Sequence, residues 1–110
     1  MTADEKRYQS ELNKAFMTSM KEIVENSNIY GGIDNYLLGE ETKNMNQTTG
    51  QIKYTEELVK LKWCYMTYKC IEMFDTTKWH KIGPDVVKFI KEYANNLKEK
   101  KAARLKALKS

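Results

Sequence analysis

Apolar residues recur along the first quarter of the chain at intervals of three and four. This spacing, from residue 4 to about residue 26, predicts an amphipathic helix with one buried stripe. The stripe consists of Tyr8, Leu12, Ala15, Phe16, Met20, Ile23 and Val24. The cluster Asn26-Ser27-Asn28 is typical of a helix end. We expect this first helix to pack against the core.

A second long helix is predicted from Thr55 to about Phe74. Thr55 is a suitable N-cap, and two glutamates follow it in the first turn. Apolar residues form two edges of this helix. One edge holds Leu58, Leu61, Tyr65 and Tyr68, and the other holds Val59, Trp63, Met66, Cys70, Met73 and Phe74. This arc is wider than one neighbouring helix needs. Either the helix is central to the domain, or its second edge is buried against another molecule.

A third long helix is predicted to begin at Pro84, because proline fits the first helical position, where its missing N–H would have no partner. Its apolar stripe comprises Val86, Phe89, Ile90, Tyr93, Ala94 and Leu97. The pattern then thins to Leu105 and Leu108 among lysines, so the helix is expected to continue past the core as a basic tail over residues 98–110. In the connection before Pro84, Trp79 is expected to anchor in the core.

Residues 31–39 read Gly-Gly-Ile-Asp-Asn-Tyr-Leu-Leu-Gly and predict a short helical segment, called here the knuckle. The two glycines suit the left-handed conformation that ends a helix. Apolar residues then recur at helical spacing, with Asp34 placed to complement the helix dipole. Gly39 is expected to end this segment. The polar, aperiodic residues 40–53 predict an exposed loop.

The knuckle resembles the Gly-Gly-(Leu/Ile)-Asp-x-Tyr-Leu-Leu run of large ribosomal subunit protein 28, bacterial type, in its mitochondrial form. In that family the run follows a helix and precedes a charged segment that leads into a helix with a tryptophan. Residues 12–24 and 58–66, with Trp63, take those places here. The match is close over nine residues and loose over about half the chain. It implies a docking role for Gly31, Gly32, Ile33, Asp34, Tyr36, Leu37 and Leu38.

Three features depart from the family pattern. The spacing from Ile23 to Gly31 is longer than expected, and residues 40–53 are expanded in Asn, Gln and Thr. The family's basic N-terminal part, the portion most associated with ribosomal RNA, is missing. The resemblance therefore implies a counterpart of the C-terminal half with a long helical tail added. This half is either encoded separately, so that another chain supplies the N-terminal half, or a fragment of a longer protein.

Length and composition favour one small all-α domain. A chain of 110 residues can bury one core. One proline and five glycines are too few turn residues for an all-β protein, and no apolar run approaches the ~18–20 residues of a membrane span. The predicted architecture is three main helices around the knuckle, with residues 1–97 as the domain and residues 98–110 as its basic helical tail.

Charge is distributed unevenly along the chain. Residues 1–50 carry five Lys/Arg and eight Asp/Glu, whereas residues 51–110 carry fourteen and seven. Lysines interleaved with aromatic residues on the second helix could neutralise phosphates beside stacked bases, and a basic tail could follow an RNA backbone. The alternative is that the aromatic residues are core and the lysines simply solvated. The predicted polyanion contacts are Lys60, Lys62, Lys69, Lys98, Lys100, Lys101, Arg104, Lys106 and Lys109.

The sequence offers little for catalysis or metal binding. Cys64 and Cys70 would lie ~9 Å apart along one helix, too far for a disulfide. With His80 as the single histidine they do not make a zinc site, although zinc shared with a partner chain stays open. No nucleophile–base pair or phosphate-binding glycine loop is recognisable. We expect no enzyme activity, no cofactor and no small-molecule substrate.

These observations lead to three functional hypotheses. With the resemblance, the chain is expected to be a structural constituent of the mitochondrial large ribosomal subunit, docking on ribosomal RNA and neighbouring ribosomal proteins in the matrix. The acidic start, residues 1–6, is unlike a secretory signal or a transit peptide, so this location follows from the resemblance alone. The alternatives are a helical accessory subunit of a mitochondrial membrane complex without RNA binding, and a free-standing nucleic-acid-binding module.

Overall fold

The computed structural model describes residues 2–75 and 81–109, and this part of the chain is built from helices. They are α1 (Ala3–Asn26), a 3-10 turn (Ser27–Tyr30), α2 (Ile33–Lys43), α3 (Glu56–Phe74) and α4 (Pro84–Leu108). The predicted all-α fold class is confirmed. Trp79, expected as a core anchor, and His80 lie outside the described residues.

Local capping explains where the long helices begin. The hydroxyl of Thr55 accepts a hydrogen bond from the backbone N–H of Leu58 at 3.1 Å, and Pro84 occupies the first turn of α4. Both predicted helix starts are therefore confirmed. Thr2 caps α1 in the same way, because its hydroxyl accepts from the N–H of Glu5.

The core lies where α1 and α4 pack along each other, with α3 and α2 covering one side. The side-chain amide of Gln9 donates to the carbonyl of Ile82 at 3.0 Å, and Lys101 donates to Asn26 at 3.4 Å. The first contact joins the early part of α1 to the start of α4, and the second joins the end of α1 to the second half of α4. The two helices therefore run parallel. The most deeply buried large side chains are Phe16, Met20, Ile23, Leu61, Ile82, Ile90 and Leu97.

The two glycines at the start of the knuckle have the predicted role. Gly31 and Gly32 have φ values of +91° and +107°, and Gly31 ends the 3-10 turn in the left-handed conformation. Their N–H groups donate to the carbonyls of Asn28 and Ser27. The chain therefore turns sharply into α2 at a position that favours glycine.

The prediction that Gly39 ends the knuckle helix is wrong, because α2 continues to Lys43. Glycine costs only about 1 kcal/mol inside a helix, and several contacts of the next turn offset this. The side-chain amide of Asn44 donates to the carbonyl of Glu40 at 2.8 Å, and Lys62 of α3 binds Glu41. The loop predicted for residues 40–53 consequently spans residues 44–55, with an isolated antiparallel bridge between Met45 and Ile52.

The basic tail is the unbroken end of α4. Leu97 is its last buried residue, and residues 98–109 are exposed apart from the half-buried Lys101. The helix nevertheless continues to Leu108, as predicted. The tail is thus a largely exposed extension of a helix whose first half belongs to the core.

Candidate docking surfaces

Helix α3 carries two apolar faces that point in opposite directions. The first, the inner row, comprises the buried residues Leu58, Leu61 and Cys64. The second, the outer stripe, comprises Val59, Trp63, Met66, Cys70 and Met73. Met66 and Met73 are 65% and 67% exposed, and Cys70 is half-buried. The steps of four, three, four and three between outer-stripe positions are those of a helix that packs on another helix. The described part of the chain leaves this face uncovered.

Lysines flank the outer stripe on both sides. Helical geometry places Lys62 and Lys69 on one side and Lys60 on the other. Lys60 pairs with Glu56 at 3.1 Å, the ammonium of Lys69 lies 5.4 Å from the ring centre of Tyr65, and Lys62 pairs with Glu41. The hydrogen bond to Glu41 raises the pKa of the Lys62 ammonium. The Lys60–Glu56 pair is exposed, and exposed ion pairs hold their side chains weakly, so Lys60 can exchange partners.

The aromatic residues predicted between those lysines are divided between the two sides of α3. Trp63 is exposed on the outer stripe, whereas Tyr65 and Tyr68 are half-buried against the core. Burial, followed by the charge of Asp34, raises the pKa of Tyr65. Of these three rings, Trp63 therefore offers the most accessible face beside lysines for an outside partner.

The predicted docking residues of the knuckle separate into buried and exposed groups. Ile33, Tyr36 and Leu37 are buried in the core, whereas Asp34 and Leu38 are exposed. The hydroxyl of Tyr36 forms a short hydrogen bond with that of Tyr93 on α4, and burial raises the pKa of both phenols. The buried residues brace α2 against α4, which leaves Asp34 and Leu38 accessible to a partner.

The structure brings part of the basic tail to the knuckle. A cavity of about 260 Å³, called here the knuckle–tail pocket, is lined by Tyr30, Asn35, Tyr36, Gly39, Glu40, Lys43, Lys100 and Arg104. The guanidinium of Arg104 lies 5.0 Å from the ring centre of Tyr30, and Lys43 pairs with Glu40 at 3.1 Å. Lys100 and Arg104 are one turn apart on α4, so both reach the same pocket. Three cations and one carboxylate give it a positive balance.

The other predicted tail contacts are more dispersed. Lys101 bonds Asn26 near the end of α1, while Lys98, Lys106 and Lys109 are exposed along α4. The sequence pattern predicts the charge of this segment but not the knuckle–tail pocket, because the pocket depends on the parallel register of α1 and α4. The only local signal for it is the spacing of Lys100 and Arg104.

The described residues contain neither a cluster of metal ligands nor a helix that could span a membrane. In the described ranges 2–75 and 81–109, no three His, Cys, Asp or Glu side chains are grouped so that they could hold a metal ion. None of the helices in those ranges combines the length and the apolar character needed to cross a bilayer. Cys64 is buried, which raises the pKa of its thiol to about 11 and so disfavours the reactive thiolate.

No protein-family model, no curated protein and no solved structure matches this chain. Its function is therefore inferred from the outer stripe, the knuckle–tail pocket and the nine-residue resemblance of the knuckle.

Proposed function

We propose that this chain is a structural, non-catalytic subunit of a larger assembly. The observation that carries this proposal is the outer stripe, five apolar residues at heptad spacing on an exposed face of α3. Exposed apolar patches of this kind mark sites of protein interaction. Burying one such side chain contributes about 1.5–3 kcal/mol, so even part of the stripe could hold a subunit in place.

The assembly that we propose is the mitochondrial large ribosomal subunit, in the matrix. The resemblance of residues 31–39 to protein 28 supports this proposal, and so does the position of that run between α1 and the Trp63-bearing α3. The tail of α4 has six basic residues against Glu99 and suits ribosomal RNA. The outer stripe would then contact neighbouring ribosomal proteins, and a separate chain could supply the family's N-terminal part.

The docking mechanism requires two kinds of contact. The outer stripe is buried against protein, which fixes the position of the subunit. The tail neutralises phosphates and releases their counterions, with a slope of roughly −0.7 to −0.9 in log K per log salt for each phosphate contact. Lys100 and Arg104 of the knuckle–tail pocket would contribute beside the resembling run.

Sedimentation of the tagged chain on a gradient of organelle lysate, with and without RNase, tests the assignment. We expect the chain to travel with the large subunit and to be released after RNA digestion. Replacing Lys98, Lys106 and Lys109 with Glu should move the chain to the light fractions. The matched control replaces the exposed Lys6, Lys14 and Lys21 of α1 with Glu, and it should sediment like the wild type. A chain absent from the large subunit would contradict the proposal.

A second candidate is a helical accessory subunit of a mitochondrial membrane complex, which the outer stripe also favours because such a role needs an apolar face but no RNA. The same gradient separates the two candidates. The accessory subunit should stay in an RNase-insensitive particle and tolerate the tail substitutions. In that case only Met66→Glu, on the outer stripe, should release it.

A further inference from the structure

A cleft runs between α3 and the first half of α4, beside the outer stripe. One part of it encloses about 260 Å³ and is mostly apolar, with Val59 and Trp63 on one wall and Val86 and Phe89 on the other. Val86 and Phe89 are only partly buried against the core. The cleft therefore continues the outer stripe sideways and gives it a second wall.

The adjoining part of the cleft is acidic. It encloses about 480 Å³ and includes Glu56, Glu57 and Glu92, while Phe89 and Lys60 line both parts. Lys60 already pairs with Glu56 at 3.1 Å and lies 5.6 Å from the ring centre of Phe89. Among the described residues, Glu57 and Glu92 form no salt bridge. Asp85 adds a fourth carboxylate at the apolar end.

The apolar part and the acidic part of the cleft together favour some classes of ligand over others. Among the side chains that line these two parts of the cleft, four carboxylates against one paired lysine disfavour phosphate groups, anionic lipid and acidic peptides, because like charges repel across a short distance. Apolar side chains fit beside Trp63 and Phe89, while cations fit beside Glu57 and Glu92. From Glu56 to Trp63 and from Asp85 to Glu92 each wall extends about 10 Å, so about two turns of helix match its length.

We propose that this cleft binds a basic amphipathic helix of a partner protein. Its apolar side chains enter the apolar part of the cleft, where Val59 and Trp63 of the outer stripe face Val86 and Phe89. Its Lys or Arg side chains meet Glu57 and Glu92. The inference rests on the proposed docking role of α3 but not on the ribosomal assignment.

Selection from a peptide library tests the charge of the occupant. The full chain is purified and incubated with displayed helical peptides of about four turns, with leucine fixed at heptad positions and Lys, Gln or Glu randomised at the flanking positions. We expect Lys to be enriched at least tenfold over Glu. The chain carries a net charge of +4, so nonspecific attraction would select Glu, and enrichment of Lys has to come from a local acidic site.

Variants locate the binding site on the chain. Glu57→Lys with Glu92→Lys should abolish the enrichment of Lys. The control pair, Glu11→Lys with Glu22→Lys, makes the same charge change on exposed positions of α1 and should preserve it. If the first pair does not fold, as judged by circular dichroism, Glu57→Gln with Glu92→Gln should reduce the enrichment at least threefold.

Three results would overturn the inference. They are enrichment of Glu, enrichment of neither charge, and enrichment of Lys that the cleft variants leave unchanged. The proposed docking role has a separate test, because Met66→Glu should release the chain from its particle. Suppose that Met66→Glu releases the chain from its particle but the wild-type chain enriches no basic peptide from the library. The cleft inference would then be overturned, and the proposed docking role would stand.

Discussion

The two faces of α3 have similar composition and opposite environments. Leu61 and Cys64 on the inner row are each 1% exposed, whereas Met66 and Met73 on the outer stripe are mostly exposed. The inner row meets α1 and α2, which together with α4 complete the core. Apolar content alone therefore does not tell which face a helix buries in its own fold. The position of the neighbouring helices decides it.

This difference separates stability from docking within one helix. Side chains of the inner row hold the domain together, whereas those of the outer stripe are free to be substituted without unfolding it. Substitutions on the two faces should therefore have different effects on stability and on docking.

The largest expected effect concerns a matched pair of truncations. Leu61→Ala should lower the free energy of unfolding by about 2–5 kcal/mol, because it removes a fully buried side chain and leaves a cavity. Met66→Ala should change that free energy by less than about 0.5 kcal/mol, because the side chain is largely in solvent. Urea denaturation followed by circular dichroism measures both.

Leu61→Met is the control for this pair. It roughly conserves volume and should cost less than about 1.5 kcal/mol. Equal losses for Leu61→Ala and Met66→Ala would mean that the outer stripe is also buried in the isolated chain, and the proposed docking surface would then be lost.

The reactivity of the two cysteine thiols allows the same two faces of α3 to be compared. Cys70 on the outer stripe is half-buried and should react with a thiol reagent in the folded chain. Cys64 should react at least about a hundredfold more slowly, because the reagent reaches it only when the fold opens. Burial also raises the pKa of Cys64 to about 11, so at pH 8 it remains protonated even when approached.

Single-cysteine variants, Cys64→Ser and Cys70→Ser, allow each reaction to be followed separately by mass spectrometry. The assignment of the two faces would be contradicted if Cys64 and Cys70 reacted at similar rates in the folded chain. It would also be contradicted if Cys70 reacted a hundredfold more slowly than Cys64. In the proposed assembly, the partner should protect Cys70 as well, which would report docking directly.

A smaller effect is expected at high pH. Burial raises the pKa values of Tyr36 and Tyr93 above their ordinary value of 10.0, and it raises that of Cys64. The unfolded chain therefore releases these protons first as the pH rises. Their contribution is fully present below about pH 9 and is lost through pH 10–11, on the order of 1 kcal/mol or more.

Urea denaturation at pH 7, 9 and 10.5 measures this loss. The double variant Tyr36→Phe with Tyr93→Phe removes two of the ionising groups, so its stability should fall less steeply between pH 9 and 10.5. An identical slope for the variant and the wild type would mean that the two phenols are solvated, which would contradict their burial.

Local signals allowed parts of this fold to be predicted from sequence. The start of α3 at Thr55 and that of α4 at Pro84 depend on neighbouring residues alone, and both predictions are confirmed. The end of α2 was predicted wrongly at Gly39, because contacts from Asn44 and from the distant Lys62 extend the helix. Glycine is a weak predictor of a helix end where contacts with other parts of the fold stabilise the next turn of the helix.

The candidate sites depend even more on long-range packing. Both edges of α3 are apolar, so the sequence alone left open which one is buried. The acidic cleft joins Glu57 to Glu92, and the knuckle–tail pocket joins Tyr30 to Arg104. Neither pair shares a local pattern, because only the arrangement of the helices brings these residues together.

The smallest expected effect is a gain in stability at Gly39, inside the helix α2 that packs against α3. Gly39→Ala should raise the free energy of unfolding by about 0.5–1 kcal/mol, because alanine is the better helix former and no atom outside the neighbouring backbone of its own helix lies within 4 Å of the added Cβ. Gly31→Ala should lower it by about 1–2 kcal/mol. At Gly31 φ is +91°, and a Cβ would lie 2.8 Å from the side-chain nitrogen of Asn35.

Thermal and urea denaturation of the two variants measure the change in the free energy of unfolding. The same glycine-to-alanine substitution should give a gain at Gly39 and a loss at Gly31. Asn35→Ala combined with Gly31→Ala separates the two causes at Gly31. The double variant removes the contact with Asn35, and with it the hydrogen bond that Asn35 donates to the carbonyl of Gly31 at 2.9 Å, but it keeps the unfavourable φ. Measured against Asn35→Ala alone, most of the loss should therefore persist. If Gly39→Ala were destabilising, α2 would end at Gly39 after all, and Glu41 would no longer be positioned to hold Lys62 beside the outer stripe. The same variant therefore tests whether α2 contributes to the lysine flank of the docking surface.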